Sequence, residues 1–585
     1  MTGFFLTNGL ENEIYNIGYD IMNQDNKDKG VCIMKRLILI CLISITSTIL
    51  FTQVPDWLWA TRASGVSGSS QSVTVDNLGN HYIIGYYGVA ASFGNTTLTC
   101  NGIKDVFIAK LDCDGNWLWA VNAGGILEDF GSDIVVDNFG NVYVTGCFKD
   151  IATFGTTQLT SIGYTNIFIA KLDPEGNWLW ALQSEGTYPD YMIIRPKLAI
   201  DSTNHLYLSH YFNGVISFGN LTPLTSISTS SIFIAKLDAD GNWLWAIQPS
   251  GTGGSGSTDI VVDGSDNIFL TGGFNGTVIF GANQLTSIGN SDVLIAKLDS
   301  NGNWLWALRA GGSSRSIYCT SIALDNLGNI CLSGDFSDTA SFGDFTLTSS
   351  GWINENIFVV KLDNSGNILW AKSSEGVGPN HEFGAVIDNE GYIYITGSFN
   401  HTVIMGFSQL TSLGNNDLYI AKLDSNGNWL WAERAGGNGY ELAYGITFDS
   451  LGNISITGEY GSTSGLGPDS LVVNGTGSIF VAKLATGVVG IEDEVLPSSS
   501  GLSVLSNAYP NPFRKGETAQ IKVEIPERVN GTLSLYNLKG QCINTYFLRS
   551  GSHQISFDSR NLATGIYIYQ LHTPSGVISK KLVLF

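Results

Sequence analysis

Carboxylates recur along this chain wherever a divalent cation or a tight turn would want them. Asp112 and Asp114, and again Asp238 and Asp240, occupy alternate positions of an Asp-x-Asp-Gly-Asn segment. Hard cations such as calcium take such oxygens, but a full calcium loop also supplies a bidentate acid at a fixed later position. Here Trp-Leu-Trp follows, and sister segments read DPEGN at 173–177 and DNSGN at 363–367. They therefore read as hairpin turns, in which Asp accepts backbone N–H groups and Gly supplies a positive φ. A second series, Asp76, Asp137, Asp201, Asp263, Asp325, Asp388 and Asp449, ends one strand of each repeat. Set in a ring, these would form a collar able to take a cation, although opening a turn accounts for most copies.

Lysine is equally regular: Lys110, Lys171, Lys236, Lys297, Lys361, Lys422 and Lys483 lie 61 to 65 residues apart. A catalytic base is needed once, so a lysine in every repeat reads as structural, its stem on apolar surface and its amine on an acceptor. Histidines are scattered (His81, His205, His210, His381, His401), and no HExxH, GxSxG or P-loop pattern occurs. His381-Glu382 is the one neighbouring pair suited to acid–base work. The cysteines beyond Cys32 and Cys41 (Cys100, Cys113, Cys147, Cys319, Cys331, Cys542) lack metal-like spacing. They read as mostly buried thiols, with a Cys100–Cys113 bridge as the alternative. No cofactor or metal is expected.

These residues ride on a repeated frame. An apolar run ends in Lys-Leu-Asp, a polar turn follows, and then Trp-Leu-Trp-Ala. Each repeat reads as four short strands: in the second, DIVVD at 133–137, NVYVTG at 141–146, a long polar connection, IFIAKLD at 167–173 and WLWAL at 178–182. β-Branched and aromatic residues dominate all four, and helical periodicity is absent. The first Trp pair, Trp57 and Trp59, precedes any Lys-Leu-Asp, and the last run, Phe480 to Leu484, has no Trp partner after it. The N-terminal strand is thus expected to complete the unit that the C-terminal strand leaves open, closing a ring without a free sheet edge.

A four-stranded unit repeated seven times predicts an all-β fold, a seven-bladed β-propeller over 53–487. The pattern apolar-Val-Asp-x-x-Gly-Asn-x-Tyr-Val-Thr-Gly … Phe-Ile-Ala-Lys-Leu-Asp-x-x-Gly-Asn resembles the propeller repeat family abbreviated SBBP, across roughly 54–486. By that resemblance the VVD strand lines a central channel and the WLWA strand lies outermost. Thirteen of the fourteen Trp residues obey the repeat, which favours packing over a sugar-stacking platform. Both rings of a pair are expected on one strand face, against the next blade.

Two connections per blade, after WLWA and before FIAKLD, vary in length and emerge on one face; the Asp-x-x-Gly-Asn turns emerge on the other. Variable loops on a rigid scaffold are where binding resides. The expected ligand-binding residues are Tyr188, Tyr191, Arg315, Tyr318, Trp352, His381 and Tyr440, which the blade pattern does not require.

The ends of the 585-residue chain read differently. Met34-Lys35-Arg36 and an apolar stretch from Leu37 to Phe51 predict a signal peptide over 34–52. Residues 1–33 read as an upstream segment outside the true start. Residues 488–506 read as a linker. From 507 the landmarks Tyr509-Pro510-Asn511-Pro512-Phe513, LSLYNLKGQ at 533–541 and the terminal KKLVLF resemble the C-terminal sorting domain of type IX secretion cargo. That resemblance implies a small immunoglobulin-like β-sandwich over 507–585, engagement of the secretion machinery, and a secreted or outer-surface location with surface attachment. A formal charge of −22 and scarce basic residues argue against a nucleic-acid partner. The expectation is a monomeric interaction platform for a glycan, matrix or protein ligand. The alternative is a secreted hydrolase or lyase with its site on the variable-loop face; a structural envelope role is the third reading.

Overall fold

The computed structural model describes residues 56–485 and 504–584, except 66, 187–194, 313–316, 350–354, 450, 462–463, 467–468, 472–477, 506–512, 517, 526–530, 538–541 and 574–575. The chain divides into two compact units, 1–489 and 490–585. The expected upstream segment (1–33) and signal peptide (34–52) lie outside the described residues.

In the first unit the second repeat sets the pattern. Phe130–Val136, Val142–Phe148, Asn166–Leu172 and Trp178–Gln183 form one antiparallel sheet in chain order. Seven such four-stranded sheets occur among the described residues, one of them extended by a further hairpin. The middle strands are buried on both faces: in Asp292–Leu298 every residue is buried. That requires covering neighbours on either side, which is why these strands read as continuous apolar runs and not as alternating ones. The innermost strands touch one another in chain order, and the last, Glu441–Phe448, lies against the first, Gly68–Val75.

Closure occurs through the two chain ends. Trp57–Arg62 pairs antiparallel with Ser478–Leu484, matching Trp57 to Leu484 and Arg62 to Phe480. Side chains then stitch each sheet to the following one. Lys110 Nζ and Trp119 Nε1 both donate to the carbonyl of Pro174, at 3.2 and 3.1 Å. Lys171 and Trp180 do the same to Ala239, at 3.0 and 3.3 Å. At the closure the two donors come from opposite ends of the chain: Lys483 and Trp59 reach Cys113 at 3.4 and 3.0 Å. Each such bond is worth a net ~0.5–1.5 kcal/mol, and the ring multiplies it.

Two expectations need correcting. The Trp rings of a pair do not share a neighbour. Trp117 packs edge-on against Phe93 of its own repeat, whereas Trp119 caps the turn of the next repeat, over Gly176. A register shift between the residues paired to Trp119 and Trp117 turns the two rings to opposite faces. The long polar connection, moreover, is itself folded. In the second repeat it forms the hairpin Ile151–Phe154 with Thr157–Thr160. Short strands leaving the preceding outer strand dock onto several of these hairpins, as Ser64–Gly65 does on Ala90–Phe93. Cys100 and Cys113 are both free thiols, the latter exposed.

The second unit holds two antiparallel sheets. One orders Val504–Leu505, Thr518–Ile525 and Gly551–Asp558; the other orders Cys542–Leu548, Gly531–Asn537, Gly565–Thr573 and Gly576–Leu584. Their apolar faces meet in one core that includes Ile521, Leu533, Tyr569 and Leu582. Phe513 is buried and bridges to Leu584, so the first and last landmarks of this segment pack together.

Candidate functional site

The innermost strand carries a bulge near its start in six of the seven repeats. Opposite it, the second strand reads Thr-Gly or Ser-Gly in most repeats, and the glycine has a steric reason. A Cβ on Gly146 would come within 2.0 Å of the Phe130 carbonyl oxygen, and one on Gly397 within 1.9 Å of that of His381. The bulge therefore needs Gly across from it, and in return re-aims one inner-strand side chain. In six repeats the shift brackets Gln71, Ser132, Thr258, Thr320, Phe383 and Tyr444.

Those residues ring the centre of the first unit and tie neighbouring repeats together. Ser132 Oγ donates to Pro196 O at 2.8 Å, and Thr258 Oγ1 to Cys319 O at 2.7 Å. Asp133 accepts the Leu198 N–H at 2.9 Å, and Asp259 that of Ile322 at 3.0 Å. Above this girdle is a cavity of about 560 Å³ to which all seven inner strands or their leading residues contribute. That volume falls in the range of about 300–1,000 Å³ usual for small-molecule sites. Hydroxyls and aromatic rings dominate its wall, including Ser257, Tyr318, Phe383 and Tyr444.

The third repeat breaks the rule here. His210 stands where the other repeats place Gly, and Arg195-Pro196-Lys197 stands where the second repeat has Gly131-Ser132-Asp133. His210 accepts the Arg195 N–H at Nε2 (3.2 Å), and its Nδ1 faces the Tyr211 carbonyl at 3.1 Å. Burial lowers its pKa to about 4, so the ring is neutral and braces the backbone. Lys197 is half-buried; burial works against its charge, but Asp133 and Asp259 outweigh that and raise its pKa.

Beside the cavity lies a buried acid–base cluster. Glu382 is fully buried, bonds to the Thr320 hydroxyl and has Oε1 unpartnered among the described residues. Burial pushes it up to about 8. Its N–H donates to Asp335 at 2.7 Å, and burial pushes Asp335 up to about 6. His381 Nδ1 stands 3.2 Å from Asp335 and 3.5 Å from Glu355, and the Asp335 bond holds its pKa above the ordinary value.

Of the residues expected from sequence, Tyr318 is exposed and lines the cavity. His381 sits at its margin, its ring 6.2 Å from that of Phe383. Tyr440 is exposed and packs against Gly461, outside the lining. Tyr188, Tyr191, Arg315 and Trp352 lie outside the described residues. Arg195, Lys197 and Ser257 were missed. The signal was present for the first two, in the replaced Gly-Ser-Asp and the His210 substitution.

At the other ends of the sheets the turn carboxylates serve the backbone. Asp76 Oδ1 accepts the N–H groups of Leu78 and Asn80, each at 2.9 Å. Asp449 does likewise and also pairs with Lys483 at 2.7 Å. Asp112 accepts the N–H groups of Asp114 and Asn116, so its oxygens are engaged within the turn.

Residues 507–584 match the family described as secretion system C-terminal sorting domain, and residues 305–335 match the β-propeller repeat. An uncharacterized WD repeat-containing protein of Acanthamoeba polyphaga mimivirus is 23% identical over 503 residues, 69% of this chain and 36% of that protein. The chain thus spans about a third of the length of the curated relative it matches. Among solved structures, a fungal alcohol oxidase in complex with copper shows 11% identity, coverage of 91% and 100%, and a TM-score of 0.32. PorZ, a surface component of the type-IX secretion system of Porphyromonas gingivalis, shows 11% identity, coverage of 88% and 74%, and a TM-score of 0.25. Likenesses of that depth carry no functional argument. The chain thus carries a type IX secretion sorting domain at 507–584, which indicates export to the medium or the cell surface, and a β-propeller repeat at 305–335.

Proposed function

We propose that residues 53–487 are a seven-bladed β-propeller acting as an extracellular binding platform, joined by a linker (488–506) to an immunoglobulin-like sorting domain (507–585). The ligand is a glycan, a matrix component or another protein, received on the face where the variable connections emerge. The observation that carries this reading is the cavity of about 560 Å³ at the start of the seven inner strands. Its wall combines aromatic faces with hydroxyl and amide groups, the mixture that orients a polar ligand while burying its apolar surface. Attachment to the outer membrane and a monomeric state belong to the same proposal.

The test is a screen of the secreted full-length protein against glycans and surface proteins, repeated with Tyr318→Ala, Tyr191→Ala and Trp352→Ala. A captured ligand should lose affinity in at least one of these and keep it when turn residues such as Asp114 are changed. The reverse pattern would move the site to the opposite face. Removing 507–585 should strand the propeller within the cell envelope, as fractionation and blotting would report.

A second reading, a hydrolase or lyase, draws on His381 between Asp335 and Glu355 next to the cavity. It requires product formation from a bound ligand that His381→Ala abolishes while binding persists.

A further inference from the structure

Seven equivalent positions stand at the start of the inner strands, six of them just before a bulge: Ser70, Gly131, Arg195, Ser257, Cys319, Glu382 and Ala443. Six are small or buried, and only Arg195 carries an exposed charge. The chain has 51 acidic and 29 basic residues, yet the cavity wall holds no carboxylate side chain and two cations, Arg195 and Lys197. Such an inversion of the overall charge marks a place built for a negative group.

Carboxylates lie near both cations. Lys197 lies in the field of Asp133 and Asp259, which also hold the backbone N–H groups of Leu198 and Ile322. Arg195 lies in the field of Glu459 but forms no ion pair within 4 Å among the described residues. Arg309, Arg434 and Arg560, by contrast, each grip an aspartate within 4 Å. The Arg195 guanidinium instead lies 5.7 Å from the centre of the Tyr444 ring. At that distance the ring face attracts the guanidinium, whose fork suits a planar two-oxygen acceptor. Ser257 also lines the cavity and is 6% exposed, with its Oγ itself buried and without a hydrogen-bond partner among the described residues.

We infer that the cavity takes a sugar bearing a carboxylate, a uronic-acid unit of an acidic glycan, with Arg195 gripping the carboxylate. Tyr318 and Phe383 supply the apolar faces against which a pyranose ring can lie. The inference rests on the platform reading above and narrows it to one ligand class.

The experiment is calorimetric titration of the full-length protein with tri-uronates of galacturonate, mannuronate and glucuronate, each beside its methyl ester. At least one acid should bind about tenfold or more tightly than its ester, the worth of one charge-assisted fork. Arg195→Gln should erase that preference with unchanged melting, Arg195→Lys should keep part of it, and Ser257→Trp should block acid and ester together. Failure of every acid, or equal binding of acid and ester, overturns the inference. In the second case, loss in Ser257→Trp would keep the cavity as the binding site, so that the platform reading survives while the acidic class falls. Binding that Ser257→Trp leaves intact would remove the cavity as well.

Discussion

The two ends of the same seven sheets follow opposite rules. At the turn end, each Asp closes a loop on itself: Asp76 takes Leu78 and Asn80, and Asp449 takes Leu451, Asn453 and Lys483. Polar groups there find partners a few residues away or, through Lys and Trp, in the turn of the next repeat. At the bulge end side chains also reach across to the next repeat, but several groups stay unmatched among the described residues, Ser257 Oγ and Glu382 Oε1 among them. Repetition yields stability where each unit needs only itself and its neighbour. Asymmetry collects where seven strands converge on a space none of them fills.

The contrast can be broken outright by deleting residues 53–62. This removes the strand paired to Ser478–Leu484 and the Trp59 anchor on Cys113. The last sheet is left with an open edge, and aggregation or loss of a cooperative melt is expected in scattering and calorimetry. Next in size is Asp449→Ala, which strips two backbone N–H groups and strands Lys483, half of a 2.7 Å pair. A loss of about 3–5 kcal/mol should appear in denaturant unfolding, with any binding at the other end retained by the folded fraction.

Glu382→Gln sharpens the comparison through pH. The carboxyl holds its proton in the fold up to about 8, against 4.5 ordinarily. Between those values the unfolded chain has released the proton and the folded one has not, so this group makes stability fall as pH rises. The amide variant should show a flatter decline of melting temperature from pH 5 to 8 than the parent. An unchanged slope would mean that Glu382 is ionised in the fold. The smallest effect on stability is expected for Tyr318→Ala, exposed on the cavity rim. Its unfolding free energy should stay within about 0.5 kcal/mol of the parent, while affinity for a cavity ligand falls by about 1–2 kcal/mol.

Much of this frame could be read from residues alone, because turns and strands are local. Asp-x-x-Gly-Asn specifies a turn wherever it occurs, and a split Trp repeat specifies closure. The outer hairpins were overlooked although SFGNTTLT at 92–99 and TFGTTQLT at 153–160 repeat each other; their polar composition reads as loop because one face is wet. The Trp faces were misassigned because a register shift reverses every side chain beyond it and leaves no mark in a single strand. The cavity was the least legible part. Gln71, Ser132 and Tyr444 share no chemistry, and only the geometry of a ring brings positions more than 60 residues apart to one place. Even so, Arg195-Pro196-Lys197 and His210 departed from the pattern visibly.

Closure by both chain ends also has a mechanical side. Ser478–Leu484 is the last strand before the segment leading to the sorting domain, and it is clamped between Ile454–Tyr460 and Trp57–Arg62, with seven residue pairs on one flank and five on the other. Tension drawn through the C-terminal residues runs along this strand, at right angles to its hydrogen bonds. Both ladders are then loaded in shear, and their bonds share the force instead of parting one after another. A protein held at a cell surface by its C-terminal end would carry its strongest grip beside its tether; single-molecule pulling at residue 490 should show a higher rupture force with residues 56–62 present than without them.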